Sequence, residues 1–175
     1  DLYTGLDRWL WRVPGGLVIS NIGACSIFAA LSGSSPATCA AIGTMGIPEM
    51  RKRGYSDQIA TGTIAAGGTL GVLIPPSIVL IVYGMATGTS IGRLFLAGIV
   101  PGFMLASLFA VWALIHSYFI DKNASKLLRN RKPPTLKEKF EVLPRIFPFL
   151  AIIVGVLYVL YGGVATPSEA SGVGA

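Results

Sequence analysis

The sequence predicts an all-α integral membrane protein, built from a re-entrant helical hairpin and a discontinuous transmembrane helix. The first observation is composition: 53% of the 175 residues are hydrophobic, 13% are charged and the mean hydropathy is +0.67, which is about half the charge of a soluble domain. The second is a polar break at 31–38 between two short apolar arms. The third is an uncharged stretch, 58–92, that glycines and a proline pair interrupt.

The two arms of the predicted hairpin are too short to cross a bilayer separately. As helices, 16–31 would be about 24 Å long and 37–50 about 21 Å, whereas the hydrocarbon core is about 30 Å thick. Ser35 is a favourable N-cap residue, and Pro36 suits the first position of a helix. We therefore predict a re-entrant hairpin over 16–50 with a new helix beginning at its tip, inside the membrane.

The alternative to a hairpin is one kinked helix over 16–47 that crosses the membrane. Charge favours the hairpin, because Arg8 and Arg12 precede the segment and three basic residues follow it at 51–53. A hairpin returns both basic flanks to one side of the membrane, as the positive-inside rule prefers, whereas a single crossing separates them.

The segment 58–87 is predicted to be a broken transmembrane helix. Pro76 disfavours helical geometry at Pro75, and each proline removes a hydrogen-bond donor. We predict two half-helices, 58–68 and 77–85, joined by extended backbone whose free carbonyls suit a cation. An ordinary proline kink, repaired by neighbouring helices, is the alternative.

The other predicted segments complete the topology. We expect an interfacial entry at 1–15, a transmembrane helix at 91–119, a basic loop with an interfacial arm helix at 120–145, a transmembrane helix at 146–163, and the start of a second repeat at 164–175. The net charge of +6 is assigned to cytoplasmic loops rather than to nucleic-acid binding. Cys25 and Cys39 are predicted to be small packing residues. We expect the chain to be a fragment of a longer protein.

Four segments together resemble the large membrane subunit of TRAP transporters, the tripartite ATP-independent periplasmic transporters. They occur in the order found in that family, at 29–38 (AALSGSSPAT), 48–55 (PEMRKRGY), 60–77 (ATG to GGTLGVLIPPS) and 165–170 (ATPSEA).

The resemblance implies a permease subunit of a sodium-coupled, elevator-type secondary transporter in the bacterial inner membrane. It would be a transporter and not an enzyme, and it would import a small organic acid such as a C4-dicarboxylate or sialic acid. Its expected partners are a small membrane subunit and a periplasmic substrate-binding protein. No organic cofactor is implied.

The resemblance also implies a set of site residues. The expected sodium ligands are Ser32, Ser34, Gly71 and Leu73. The expected substrate-binding residues are Gly33, Ser34, Ser35, Pro75 and Pro76.

The distribution of charge favours sodium over protons as the coupling ion. Neither 13–48 nor 58–92 contains an Asp, Glu, Lys, Arg or His, so these segments offer no proton relay at depth. An ion channel whose filter is formed by the same break is the alternative function. An intramembrane enzyme is disfavoured, because no base lies near the serines in sequence.

Overall fold

The computed structural model describes residues 16–119 and five single positions beyond them, at 147, 151, 154, 155 and 158. In this part of the chain all regular structure is helical and no strand occurs, which confirms the all-α prediction there. The segments predicted at 1–15, 120–145 and 164–175 lie outside the described residues, as does most of 146–163.

The predicted hairpin consists of two helices, α1 (Gly16–Ser32) and α2 (Ser35–Lys52), separated by two residues. Gly33 takes a left-handed conformation with φ +61°, and its N–H donates to the carbonyl of Ala29 at 2.8 Å. A left-handed glycine that bonds back into the last turn is a common way to end a helix.

The new helix begins one residue earlier than predicted. Ser34, not Ser35, is the N-cap: its backbone is extended (φ −133°, ψ 122°) and its hydroxyl accepts from the N–H of Ala37 at 3.5 Å. Pro36 is therefore the second helical residue, where its missing N–H is still harmless. Since Gly33 already turns the chain, the next residue is free to cap.

The two arms pack side by side and run in opposite directions. Asn21 in α1 donates from Nδ2 to the sulfur of Met50 in α2 at 2.8 Å, and both residues are far from the break. A Cβ at Gly46 would lie 2.6 Å from Oδ1 of Asn21, so the arms meet closely. A single kinked helix over 16–47 is therefore wrong, while the depth of the hairpin in a membrane stays a prediction.

The broken helix has three parts: α3 (Asp57–Gly68), α4 (Leu70–Leu73) and α5 (Ile78–Thr87). The break is shorter than predicted, because α4 continues helical geometry through the glycine-rich stretch to Leu73. Ile74 is extended, with φ −75° and ψ 119°, as expected for a residue before proline. The prolines rather than the glycines end the helix.

Two glycines of α3 allow both hairpin arms to pack closely against this helix. A Cβ at Gly67 would lie 2.9 Å from the sulfur of Cys25 in α1, and one at Gly68 would collide with the sulfur of Cys39 in α2. Both cysteines are free thiols. They pack as small side chains between helices, as the sequence predicted.

The last described helix, α6 (Ile91–Phe119), continues through Pro101. Two segments, Asp57–Thr87 and Ile91–His116, are long and apolar enough to cross a membrane; the first is the one that the prolines interrupt. Much of the apolar surface of α5 and α6 is exposed, including Val100, Phe103 and Tyr83.

Helix α1 lies at the centre of the described bundle and contacts α2, α3, α4 and α6. Its residues supply much of the core, with Leu17, Val18 and Cys25 at most 2% exposed. Helix α1 is therefore packed among the other helices, and its C-terminal end leads into the tip of the hairpin.

Candidate cation site where the hairpin tip meets the broken helix

The tip of the hairpin is joined to the break in the second helix by a backbone hydrogen bond. The N–H of Ile78, the first residue of α5, donates to the carbonyl of Gly33 at 3.1 Å. A Cβ at Gly33 would lie only 2.7 Å from the carbonyl oxygen of Pro76. Only glycine therefore fits at this point, both for its left-handed backbone and for this close approach.

A second contact joins the tip to α4. A Cβ at Gly71 would lie 2.7 Å from the carbonyl carbon of Ser34 and 2.8 Å from the backbone nitrogen of Ser35. The structure thus brings Gly71 and Ser34, two of the predicted sodium ligands, into backbone contact.

Three hydroxyl groups converge on the tip. The hydroxyl of Ser32 lies 3.2 Å from that of Thr38 and accepts from the backbone N–H of Ser34 at 3.3 Å. Thr38 Oγ1 donates to the carbonyl of Ser34 at 2.8 Å, which also accepts from the N–H of Thr38 at 3.0 Å. The carbonyl of Ser34 is therefore well satisfied, and the hydroxyls of Ser32 and Ser34 retain acceptor capacity.

The proline pair leaves two carbonyls of α4 without their usual helical donors. Residues 75 and 76 would donate to the carbonyls of Gly71 and Val72, but proline has no N–H. The hydroxyl of Ser77 replaces the donor for Val72 at 2.7 Å. Among the described residues no side chain replaces the donor for the carbonyl of Gly71, so this oxygen at the break is available to a ligand.

Leu73, the fourth predicted sodium ligand, is the last residue of α4. Its carbonyl oxygen would lie 2.7 Å from a Cβ at Gly98 in α6, so this oxygen lies against α6. A role for Leu73 as a ligand stays a prediction.

The predicted substrate-binding residues lie on both sides of the junction. Gly33 and Pro75 are buried, while Ser34, Ser35 and Pro76 are half-buried. The hydroxyl oxygen of Ser35 is buried and has no hydrogen-bond partner among the described residues, so a polar group at the tip is left for a ligand.

Sequence analysis missed Thr38 and Ser77. Both side chains are fully buried. The hydroxyl of Thr38 bonds the carbonyl of the N-cap residue of its own helix, and that of Ser77 bonds a carbonyl on the other side of the proline pair. The available signal was a hydroxyl residue placed just beyond each helix break, where backbone groups lack helical partners.

The site is built from neutral oxygens. Among the described residues, no group of three or more His, Cys, Asp or Glu side chains could hold a metal ion. Hydroxyl and carbonyl oxygens are ligands for hard cations rather than for zinc or copper, so the residues present at the junction fit a cation such as sodium.

Comparison with known proteins agrees with the resemblance seen in the sequence. A family model described as "Tripartite ATP-independent periplasmic transporter, DctM component" matches residues 3–175. The chain belongs to this family. The predicted membership in the TRAP large-subunit family is thereby confirmed, and the family is one of transporter permeases.

Curated relatives in the family carry several substrate names. The chain is 46% identical over 163 residues to the C4-dicarboxylate TRAP transporter large permease protein DctM of Vibrio cholerae, covering 92% of this chain and 34% of the relative. It is 40% identical to the isethionate TRAP transporter permease protein DctMQ of Oleidesulfovibrio alaskensis, covering 97% and 26%. It is 35% identical to the ectoine TRAP transporter large permease protein TeaC of Halomonas elongata, covering 93% and 37%. The chain therefore spans between 26% and 37% of the length of these family members.

Proposed function

We propose that this chain forms part of the permease of a sodium-coupled, binding-protein-dependent secondary transporter that imports a small organic acid. The observation that carries the proposal is the junction itself, where two breaks in helices meet. Ser32 and Ser34 supply hydroxyl oxygens from the hairpin, and Gly71 supplies a carbonyl without a helical donor. Sodium bound there would neutralise part of the charge of an entering anion.

The tip also suits the acid group of the solute. Helix α2 begins at the tip, and the N-terminus of a helix favours negative charge because its first N–H groups and its dipole point outward. Relatives named for C4-dicarboxylates and for isethionate indicate anionic solutes of this kind. We infer that Ser34 and Ser35, with the exposed start of α2, form one side of the solute site.

The hairpin and the broken helix would move as one body. The bond from Ile78 to Gly33 and the contact of Gly71 with Ser34 join the two segments at the site. An elevator step, in which the site crosses the membrane with its surrounding helices, is the transport movement that preserves these contacts. The remaining parts of the proposal are a small membrane subunit, a periplasmic binding protein and the bacterial inner membrane.

The test uses the full-length permease with its two partners in proteoliposomes. We measure uptake of radiolabelled succinate and of isethionate driven by an inward sodium gradient, with choline replacing sodium in the control. The Ser32→Ala/Ser34→Ala variant is expected to lower uptake at subsaturating sodium by at least about tenfold, since two charge-binding contacts are lost. Ser107→Ala is the matched control, because Ser107 is exposed on α6 and bonds only the carbonyl of Phe103.

Two results would contradict the proposal. One is uptake in the double variant that keeps the wild-type dependence on sodium. The other is a unitary current through the permease in the absence of solute and binding protein, which would indicate the channel alternative.

A further inference from the structure

Thr38, like Ser77, is a buried residue at the junction that belongs to neither the sodium set nor the substrate set. It lies in the first turn of α2, and its side chain has no exposed surface. Its hydroxyl lies 2.8 Å from the carbonyl of Ser34 and 3.2 Å from the hydroxyl of Ser32. Thr38, in α2, therefore contacts Ser32, which ends α1, and Ser34, which lies in the two-residue break.

The directions of these hydrogen bonds follow from the groups involved. A carbonyl oxygen only accepts, so the single hydroxyl proton of Thr38 is used in the short bond to Ser34. The Ser32 hydroxyl then has two acceptors within reach, Oγ1 of Thr38 at 3.2 Å and the carbonyl of Ser34 at 3.4 Å. The Thr38 oxygen is the nearer one, and the Ser34 carbonyl already accepts two other bonds, so the geometry favours donation from Ser32 to Thr38. Since Ser34 donates its N–H to the same Ser32 oxygen, one lone pair of Ser32 is left without a partner.

This arrangement prepares Ser32 for a positive ion. A hydroxyl binds a cation through a lone pair, and it does so best when its proton points away from the ion. Oγ1 of Thr38 is the nearest acceptor for the proton of Ser32, and Thr38 also donates to the carbonyl of Ser34. Ser34 is therefore left to contribute its hydroxyl rather than its carbonyl.

We propose that Thr38 is a positioning residue for the cation site, acting through Ser32 by orienting the hydroxyl proton away from the ion. The inference rests on the proposed sodium site at the junction. Thr38 itself does not contact the ion.

The test compares variants of the full-length permease by sodium titration of the thermal unfolding midpoint, with choline chloride keeping the ionic strength constant. Thr38→Val keeps the shape of the side chain and removes the hydroxyl, whereas Thr38→Ser keeps the hydroxyl. Thr44→Val is the matched control, since Thr44 is exposed on the same helix and bonds only the carbonyl of Ala41. Thr38→Ala removes the hydroxyl without any risk of overpacking.

Thr38→Val and Thr38→Ala are expected to raise the half-saturating sodium concentration by about tenfold. Thr38→Ser and Thr44→Val should stay within about twofold of the wild type. In a Ser32→Ala background, Thr38→Val should add no further shift, because its effect is transmitted through Ser32.

The inference is overturned if a folded Thr38→Val or Thr38→Ala protein keeps the wild-type half-saturation while Ser32→Ala raises it. A change confined to the midpoint in choline, with sodium affinity intact, would likewise assign Thr38 a structural role only. A wild-type protein whose midpoint does not respond to sodium would instead overturn the proposed function and this inference with it.

Discussion

Two glycines determine how closely the hairpin tip approaches the broken helix. Gly33 needs both a positive φ and space beside Pro76, while Gly71 lies directly against the backbone of Ser34 and Ser35. In both cases the neighbouring atom belongs to the main chain, so a side chain cannot be accommodated by a change of rotamer. At the scale of single residues, the site therefore depends on these two glycines as much as on its hydroxyl groups.

Gly71→Ala is expected to disrupt the site. The new methyl group would lie 2.7 Å from the carbonyl carbon of Ser34, so the tip and α4 must separate, at a cost of about 1–3 kcal/mol. Sodium-driven uptake by the full-length transporter should fall at least about tenfold.

Gly62→Ala is the matched control for Gly71→Ala. Gly62 is also a helical glycine, but nothing lies within 4 Å of its Cβ position. Alanine there should leave uptake unchanged and raise stability by about 0.5–1 kcal/mol, since helical glycine is unfavourable. Equal uptake in the two variants would show that the close approach at Gly71 is not required.

At the scale of helices, a buried amide lies between the two arms of the hairpin, and we infer that it fixes their register. Asn21 is fully buried, its Nδ2 donates to the sulfur of Met50, and its Oδ1 has no hydrogen-bond partner among the described residues. That oxygen lies against Gly46 in the opposite arm. A buried amide oxygen without a hydrogen-bond partner lowers stability. Such a residue is typical of positions that specify how two segments pair.

A suppressor experiment tests this contact. Gly46→Ala alone should lower the unfolding free energy by about 1–3 kcal/mol, because its methyl group meets Oδ1 of Asn21. Adding Asn21→Ala removes that oxygen, and the double variant should be more stable than Gly46→Ala. Thermal unfolding of the four proteins of this mutant cycle measures the coupling. Simple additivity of the two single effects would show that the arms do not meet at this point.

The helix breaks were predictable from sequence because proline, glycine and serine act locally. The SGSSP motif predicted an end and a new start in the hairpin, although the N-cap is Ser34 rather than Ser35. The length of the second break was not predictable, because three glycines are also compatible with the helical turn at Leu70–Leu73. Helix propensity is a weak preference that packing against α1 and α6 can override.

The roles of Thr38 and Ser77 could not be predicted in the same way. Each hydroxyl bonds a carbonyl whose availability depends on how the chain turns at a break. The contact between Gly71 and the tip depends on packing between distant segments, and a single sequence shows only that both segments are interrupted.

At the scale of the whole molecule, the absence of charge in two long segments predicts the coupling ion. No Asp, Glu, Lys, Arg or His occurs at 13–48 or 58–92, so no proton carrier lies near the junction in sequence. Uptake by the full-length transporter should follow an imposed sodium gradient. An imposed pH gradient at equal sodium on both sides should not drive it. Uptake driven by the pH gradient alone would contradict sodium coupling.

At the same scale, the surroundings of the exposed apolar surface of α5 and α6 have to be considered. The chain spans about a third of the length of its relatives, so lipid and the remainder of the permease are the surroundings that we expect for this surface.

The most direct measurement is a high-resolution structure of the full-length transporter in lipid nanodiscs, determined in saturating sodium and again in choline. We predict a density peak, present only in sodium, that is coordinated by the hydroxyls of Ser32 and Ser34 and by the carbonyl of Gly71. Sodium density located elsewhere, with these three oxygens uncoordinated in both conditions, would contradict the account.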